Sequence, residues 1–233
     1  MRKTLLTLLF LFNMYSSYSQ DTIVYFTEAI KENLAKYKKA SNKAYESYDI
    51  TEGKNLFDSL VKTKLIGTKF DDFTIKVYKE KNIKTNRISK PIFIITYASW
   101  CVIPKGEIPA LNILAKEHRN DLQFIVVFWD KKNDLKNIAN KFSGYIKVCY
   151  ANESYAKDSH IISTIKHTLG FPTSIFIDEN KNVVNVKHFE NKTKLKTPIK
   201  EAIITSYNYF SKDINENLVN AITKDKVKTL SVN

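Results

Sequence analysis

The chain has 233 residues, 43% of them hydrophobic and 12% aromatic, enough for one packed domain and an additional segment. Only 5 Gly and 5 Pro occur, which excludes a low-complexity or linker-rich protein. The formal net charge is +13, with lysines spread along the whole chain. That balance reads as a solvated basic surface suited to acidic partners or anionic membrane surfaces, and without a nucleic-acid motif it excludes nucleic acid as the partner.

The N-terminus reads as an export signal. Arg2 and Lys3 precede an apolar run from Leu5 to Phe12, and Ser17-Tyr18-Ser19 offers small residues at a cleavage site after Ser19. The run is well short of the ~20 residues a spanning helix needs. Cleavage removes two basic residues and no acid, leaving +11. No cysteine directly follows the cleavage point, so a lipid anchor is not expected, and no later segment is apolar enough to span a membrane. The expected location is periplasmic or otherwise exported.

Ile23, Phe26, Ile30, Leu34 and Tyr37 recur at helical spacing within residues 22–47. A second helix is expected from Gly53 to Thr63, with Leu56, Leu60 and Val61 inward. The two form a helical hairpin packed on the main domain. Phe70, Phe73, Ile75 and Val77 predict a strand or hairpin, and residues 79–90 a polar loop. Pro91 to Tyr97 is a continuous apolar, β-favouring run, as a strand buried on both faces requires. A helix with Ile108, Leu111, Leu114 and Ala115 follows. Then come a strand at 122–129, a helix at 134–142, a strand at 145–150 and a helix at 153–167. Strands at 173–178 and 183–189 flank the turn Glu179-Asn180-Lys181-Asn182, and a helix at 195–218 closes the fold. Early strand–helix alternation implies parallel strands, and the closing hairpin makes the sheet mixed. The expected fold class is an α/β sandwich. Its organisation is a signal peptide at 1–19, an N-terminal helical segment at 20–66, the main domain at 67–218 and a tail at 219–233.

There are two cysteines, Cys101 and Cys149. Cys101 is expected where the 91–97 strand meets the next helix. Unpaired N–H groups and a partial positive charge at a helix start stabilise a thiolate, the nucleophile of disulfide exchange. Pro104, three residues on, has no N–H to give to such a thiolate. Cys149 lies on a strand and reads as a buried, inert thiol, not paired with Cys101. His118, His160, His167 and His188 show no metal-ligand spacing, and no cofactor is expected.

Trp100-Cys101-Val102-Ile103-Pro104-Lys105-Gly106-Glu107-Ile108-Pro109 resembles the W-C-x-x-C-x-x-E-x-P pattern of the TlpA/ResA-like family. Thr96-Tyr97-Ala98-Ser99 stands where that family has F-W-A-x. Gly170-Phe171-Pro172-Thr173 is similar to its G-x-P-T, and Asp178 ends the next strand as in the family. The resemblance covers residues 67 to about 210. It implies a thioredoxin-like sandwich and periplasmic thiol–disulfide exchange with protein thiols or disulfides, with an external reductant. It further implies Cys101 as nucleophile, Glu107 as a possible tuning group, a cis Pro172 facing Cys101, and a substrate groove lined by Trp100, Phe171, Pro172 and Thr173. Two departures stand out. Pro104 replaces the second cysteine, so only monothiol, mixed-disulfide chemistry is expected. Ile95 stands where thioredoxin has a buried aspartate. The alternatives are a non-catalytic binding or chaperone-like module using the same groove, and a peroxidase of the peroxiredoxin type. Pro91, Thr96 and Cys101 do not match the P-x-x-x-T-x-x-C spacing of the latter.

Overall fold

The computed structural model describes residues 23–170, 172–188, 194 and 196–219. The expected signal peptide, Phe171 and all of the expected tail beyond Val219 lie outside them. Seven strands form one sheet: β1 (Thr74–Val77), β2 (Ile83–Lys84), β3 (Ile92–Tyr97), β4 (Gln123–Phe128), β5 (Ile146–Tyr150), β6 (Thr173–Ile177) and β7 (Val183–His188), in the order β2-β1-β5-β4-β3-β6-β7. β3, β4 and β5 run parallel. β1 joins β5, β6 joins β3 and β7 joins β6, each antiparallel. This is the mixed sheet of an α/β sandwich, as the sequence pattern predicts, in the thioredoxin-like form that the resemblance implies.

All six residues of β3 are buried because both sheet faces are covered. Ile92 and Ile94 point to one face, with Ile125, Val127, Cys149, Ile175 and Ile177. Phe93, Ile95 and Tyr97 point to the other, with Phe124, Val126, Phe128 and Phe176. On that second face Phe93 meets Phe124, Phe176 and Phe210, with ring centroids 5.6, 5.1 and 6.1 Å apart.

Helices α1 (Phe26–Glu46) and α2 (Ile50–Leu60) cover the first face. α2 begins three residues earlier than the apolar pattern predicts, because Asp49 caps it through a 2.9 Å bond from the Glu52 N–H. Phe57, Leu60 and Val61 form its inward edge, and Leu56 is only half-buried. A π-helical turn, Val61–Leu65, extends α2. The Phe57 ring stacks on His188 of β7 at 3.7 Å. The expected loop at 79–90 contains β2, because Ile83 pairs with Ile75.

Helix α3 (Glu107–Glu117) covers the second face, and α4 (Lys136–Ala139) follows β4. The expected helix at 153–167 is broken into α5 (Ser159–Ile161), a π-helical turn at Ile162–Lys166, and α6 (His167–Leu169). The closing helix α7 (Ile199–Ile214) begins after Pro198, four residues later than expected, and ends in a π-helical turn at Asn215–Val219. No helix among the described residues is long and apolar enough to cross a membrane.

Candidate functional site around Cys101

β3 and β4 are parallel neighbours, so their C-terminal ends lie side by side. The Trp129 N–H donates to the Tyr97 carbonyl at 2.9 Å. β6 runs the other way, and Thr173 at its start pairs with Thr96 at the end of β3. The loop carrying Cys101 and the segment carrying Pro172 therefore emerge at the same end of the sheet.

The loop leaving β3 is anchored at its base. Asp130, just beyond β4, accepts from the Ser99 N–H and the Ser99 hydroxyl, both at 2.6 Å. The Cys101 N–H donates to the Ala98 carbonyl at 2.9 Å, closing a tight turn around Trp100. Trp100 is 75% exposed and Val102 is exposed, while Cys101 is only partly so. Cys101 is a free thiol.

One expectation is corrected here. Cys101 does not open the helix: α3 begins at Glu107, after Gly106, six residues downstream. Pro104 is the physical reason. Its ring drives the preceding residue, Ile103, out of the helical region, so a helix cannot nucleate across 101–104. The first helical N–H, of Glu107, donates to the Pro104 carbonyl at 3.0 Å. The unpaired N–H groups of α3 accordingly lie beyond Cys101, and Pro104 takes no donor from a helical turn around the thiol.

Gly106 is fixed by packing. A Cβ there would lie 2.1 Å from the backbone of Ala202 in α7. Only glycine permits this approach of α7 to the start of α3.

Glu107 is fully buried beneath the loop, where Tyr97 donates its hydroxyl to Oε1. Oε2 has no hydrogen-bond partner among the described residues. Burial lifts the Glu107 carboxyl to about 7, against the opposing effect of the Tyr97 bond. The Tyr97 hydroxyl is held well above the ordinary phenol range, first by burial, then by Glu107, with a contribution from Cys101. Tyr97, Glu107 and Cys101 thus form one electrostatic cluster.

On the facing segment, Gly170 has φ of 72° and ψ of −165°, a region essentially restricted to glycine. The Thr173 hydroxyl donates to the Gly170 carbonyl at 3.0 Å, and the Thr173 N–H donates to the Thr96 hydroxyl oxygen at 3.2 Å. The His188 Nε2–H donates to the Leu169 carbonyl at 2.7 Å. Pro172 is half-buried and Thr173 fully buried, so Thr173 serves here as a brace between strands.

Cys149 is a second free thiol, fully buried on the α1–α2 face, where burial pushes its pKa well up. No cluster of three or more His, Cys, Asp or Glu is placed to hold a metal ion among the described residues.

A cleft of about 570 Å³ adjoins Cys101, walled by Ile103, Pro104 and Ile138 and flanked by Lys105 and Lys141. Lys141 and Asp130 are not legible in the sequence, since no spacing relates them to Cys101, and Lys105 fills a variable position of the quoted motif. Tyr97 carried a usable signal: a tyrosine inside a strand buried on both faces needs a partner for its hydroxyl.

No protein-family model matches the chain. Over 69 residues it is 35% identical to a thioredoxin of Borreliella burgdorferi, a match spanning 29% of this chain and 59% of that protein. It is also similar to two solved structures. One is the thioredoxin domain of a thiol-disulfide oxidoreductase of Bacteroides vulgatus, at 16% identity over 66% of this chain and 100% of that one, with a TM-score of 0.47. The other is a thio-disulfide isomerase of Thermus thermophilus, at 21% identity over 60% and 93%, with a TM-score of 0.44. The sheet order and the thioredoxin match together give this chain a thioredoxin-like fold.

Proposed function

We propose that this chain is an exported, single-cysteine thiol–disulfide oxidoreductase acting on thiols or disulfides of the cell envelope. The observation that carries the reading is a partly exposed free thiol, Cys101, in the loop after β3, close enough to the buried Tyr97–Glu107 pair for its charge to act on Tyr97. Export rests on Arg2, Lys3 and the apolar run to Phe12.

The Cys101 thiolate attacks one sulfur of a partner disulfide. A Cys101–partner disulfide forms, the partner S–S bond breaks, and the second partner sulfur leaves as a thiolate. Glu107, near half-ionised at neutral pH, exchanges the proton that Cys101 gives up and the leaving thiolate takes. Trp100 and Pro172 frame the groove along which the partner lies, over the buried Thr173, with Pro172 cis as in the family it resembles. Neither Pro104 nor the buried Cys149 can break the mixed disulfide, so an external thiol completes the cycle.

The test is reduction of a small disulfide by an external thiol with wild type, Cys101→Ser and Pro104→Cys. We expect turnover that vanishes in Cys101→Ser and becomes less dependent on external thiol in Pro104→Cys. Equal rates in wild type and Cys101→Ser overturn the reading. The second reading is a binding module, favoured by the exposed Trp100 and Val102 beside Cys101. It predicts equal capture of an unfolded client by wild type and Cys101→Ser.

A further inference from the structure

The Cys101 cleft differs from its neighbours in charge. A cleft of about 580 Å³ by α1 places Glu32 among Lys64 and Lys69. Another of about 420 Å³, by α2 and β7, places Asp58 among Lys54 and Lys187. Among the described residues lining the Cys101 cleft are Lys105 and Lys141 and no carboxylate, and Asp130 behind it is held by the Ser99 N–H and hydroxyl. Neither lysine forms an ion pair with a described residue, whereas Lys76, Lys147, Lys166 and Lys187 all do.

Both cations stand on fixed backbone. Lys105 precedes Gly106, which is held against the α7 backbone. The Lys141 carbonyl accepts from Asn112 Nδ2 of α3 at 2.9 Å, and Asn112 Oδ1 accepts from the Ser143 N–H at 2.7 Å. The two lysines thus spring from set backbone positions on a cleft also lined by Ile103, Pro104 and Ile138.

Pro104 stands where the resembled family has its resolving cysteine, and here that position lines the cleft. A thiol seated in the cleft lies beside any disulfide on Cys101. At about 570 Å³ the space suits a small molecule rather than a folded partner.

We propose that this cleft binds a small thiol carrying carboxylates near its sulfur, and that this anionic thiol does the resolving step that Pro104 cannot. The inference rests on Cys101 being the nucleophile proposed above. In the first half-reaction Cys101–S⁻ attacks a disulfide between a protein thiol and the small thiol R–SH. Cys101–S–S–R forms and the protein thiolate leaves. In the second, R–S⁻ in the cleft attacks the R sulfur, giving R–S–S–R and restoring Cys101–S⁻. One R–S⁻ rises to disulfide level while one protein sulfur falls to thiolate, and one S–S bond forms for the one that breaks, so electrons balance.

The test compares two electrophiles with the same S–S bond, oxidised glutathione and its carboxyl-esterified form. The reduced full chain is mixed with each, and Cys101 modification is followed by mass spectrometry. We expect the acid to react about tenfold faster than the ester at low salt, a preference that fades towards 0.5 M salt, where charge interactions are screened within about 4 Å. In Lys105→Gln/Lys141→Gln the acid-to-ester rate ratio falls to about twofold or less. A control pair on another surface, Lys36→Gln/Lys62→Gln, keeps it. Equal rates for acid and ester in wild type overturn the inference and leave the proposed chemistry standing. So does a preference that survives in the Lys105/Lys141 variant, which assigns it to the overall charge of +13. No reaction with either probe overturns the proposed function itself.

Discussion

Glu107 is where burial and ionisation conflict most sharply. A carboxyl lifted to about 7 in the folded chain, against about 4.5 unfolded, binds its proton more tightly when folded. Between these values the folded state holds more protons than the unfolded state, so stability falls as pH rises through the interval and levels off above about 7. The penalty at pH 8 is about 3 kcal/mol. Glu107→Gln removes it. We expect thermal unfolding to show a Tm raised by roughly 5 to 10 °C at pH 8 and little changed near pH 4. An unchanged Tm at pH 8 contradicts the burial argument. Tyr97→Phe acts in the opposite direction. It deletes the one donor that favours the carboxylate, so the pH midpoint of the stability loss moves above 7. The variant loses about 1 to 3 kcal/mol at neutral pH from an acceptor left unpaired.

At the scale of elements, the start of α3 decides the shape of the site. Gly106 lets α7 approach so closely that any side chain strikes the backbone of Ala202, 2.1 Å from where a Cβ would lie. Backbone cannot rotate away as a side chain can, so α3 and α7 must separate. Gly106→Ala is expected to cost about 2 to 3 kcal/mol, read as a lower urea midpoint with an unchanged slope. A neutral result places α7 elsewhere. The same region shows what was legible in the sequence. β3 could be read from its unbroken apolar run because burial on both faces leaves no room for polar alternation. α3 could be recognised from Ile108, Leu111 and Leu114, but not its first residue. The spacing placed Cys101 at the helix start, whereas Pro104 defers the helix to Glu107. The split of α5 and α6 by a π-helical turn has no local sequence signature. Within the site, Cys101 and Glu107 stood out through motif spacing. Lys141 did not, because it reaches the cleft only through the Asn112 contacts with 141–143.

For the whole molecule, the question is whether residues from Gly67 onward can stand without α1 and α2. Phe26, Ile30, Phe57, Leu60, Val61 and Leu65 are buried in the same cluster as Ile92, Ile94, Ile125 and Ile175 of the central sheet. Burying side chains of this size contributes about 1.5 to 3 kcal/mol each, and a domain's net stability is about 5 to 15 kcal/mol. Six of them match that whole margin, before counting the sheet face they leave uncovered. Two polar links add to the dependence. The Phe26 N–H donates to the Lys69 carbonyl at 2.8 Å, and Asp71 accepts from the Thr27 N–H at 2.8 Å. Phe57 also packs on His188, which holds the Leu169 carbonyl next to the Gly170–Thr173 segment. Loss of α2 therefore reaches the end of the sheet that carries Cys101 and Pro172 as well as the core. A chain beginning at Gly67 is expected to lose cooperative urea unfolding by circular dichroism and to be cut rapidly by trypsin within β3–β5, where the intact chain resists. A soluble truncated chain with a sharp transition and native-like protection shows instead that the hairpin is a separable addition.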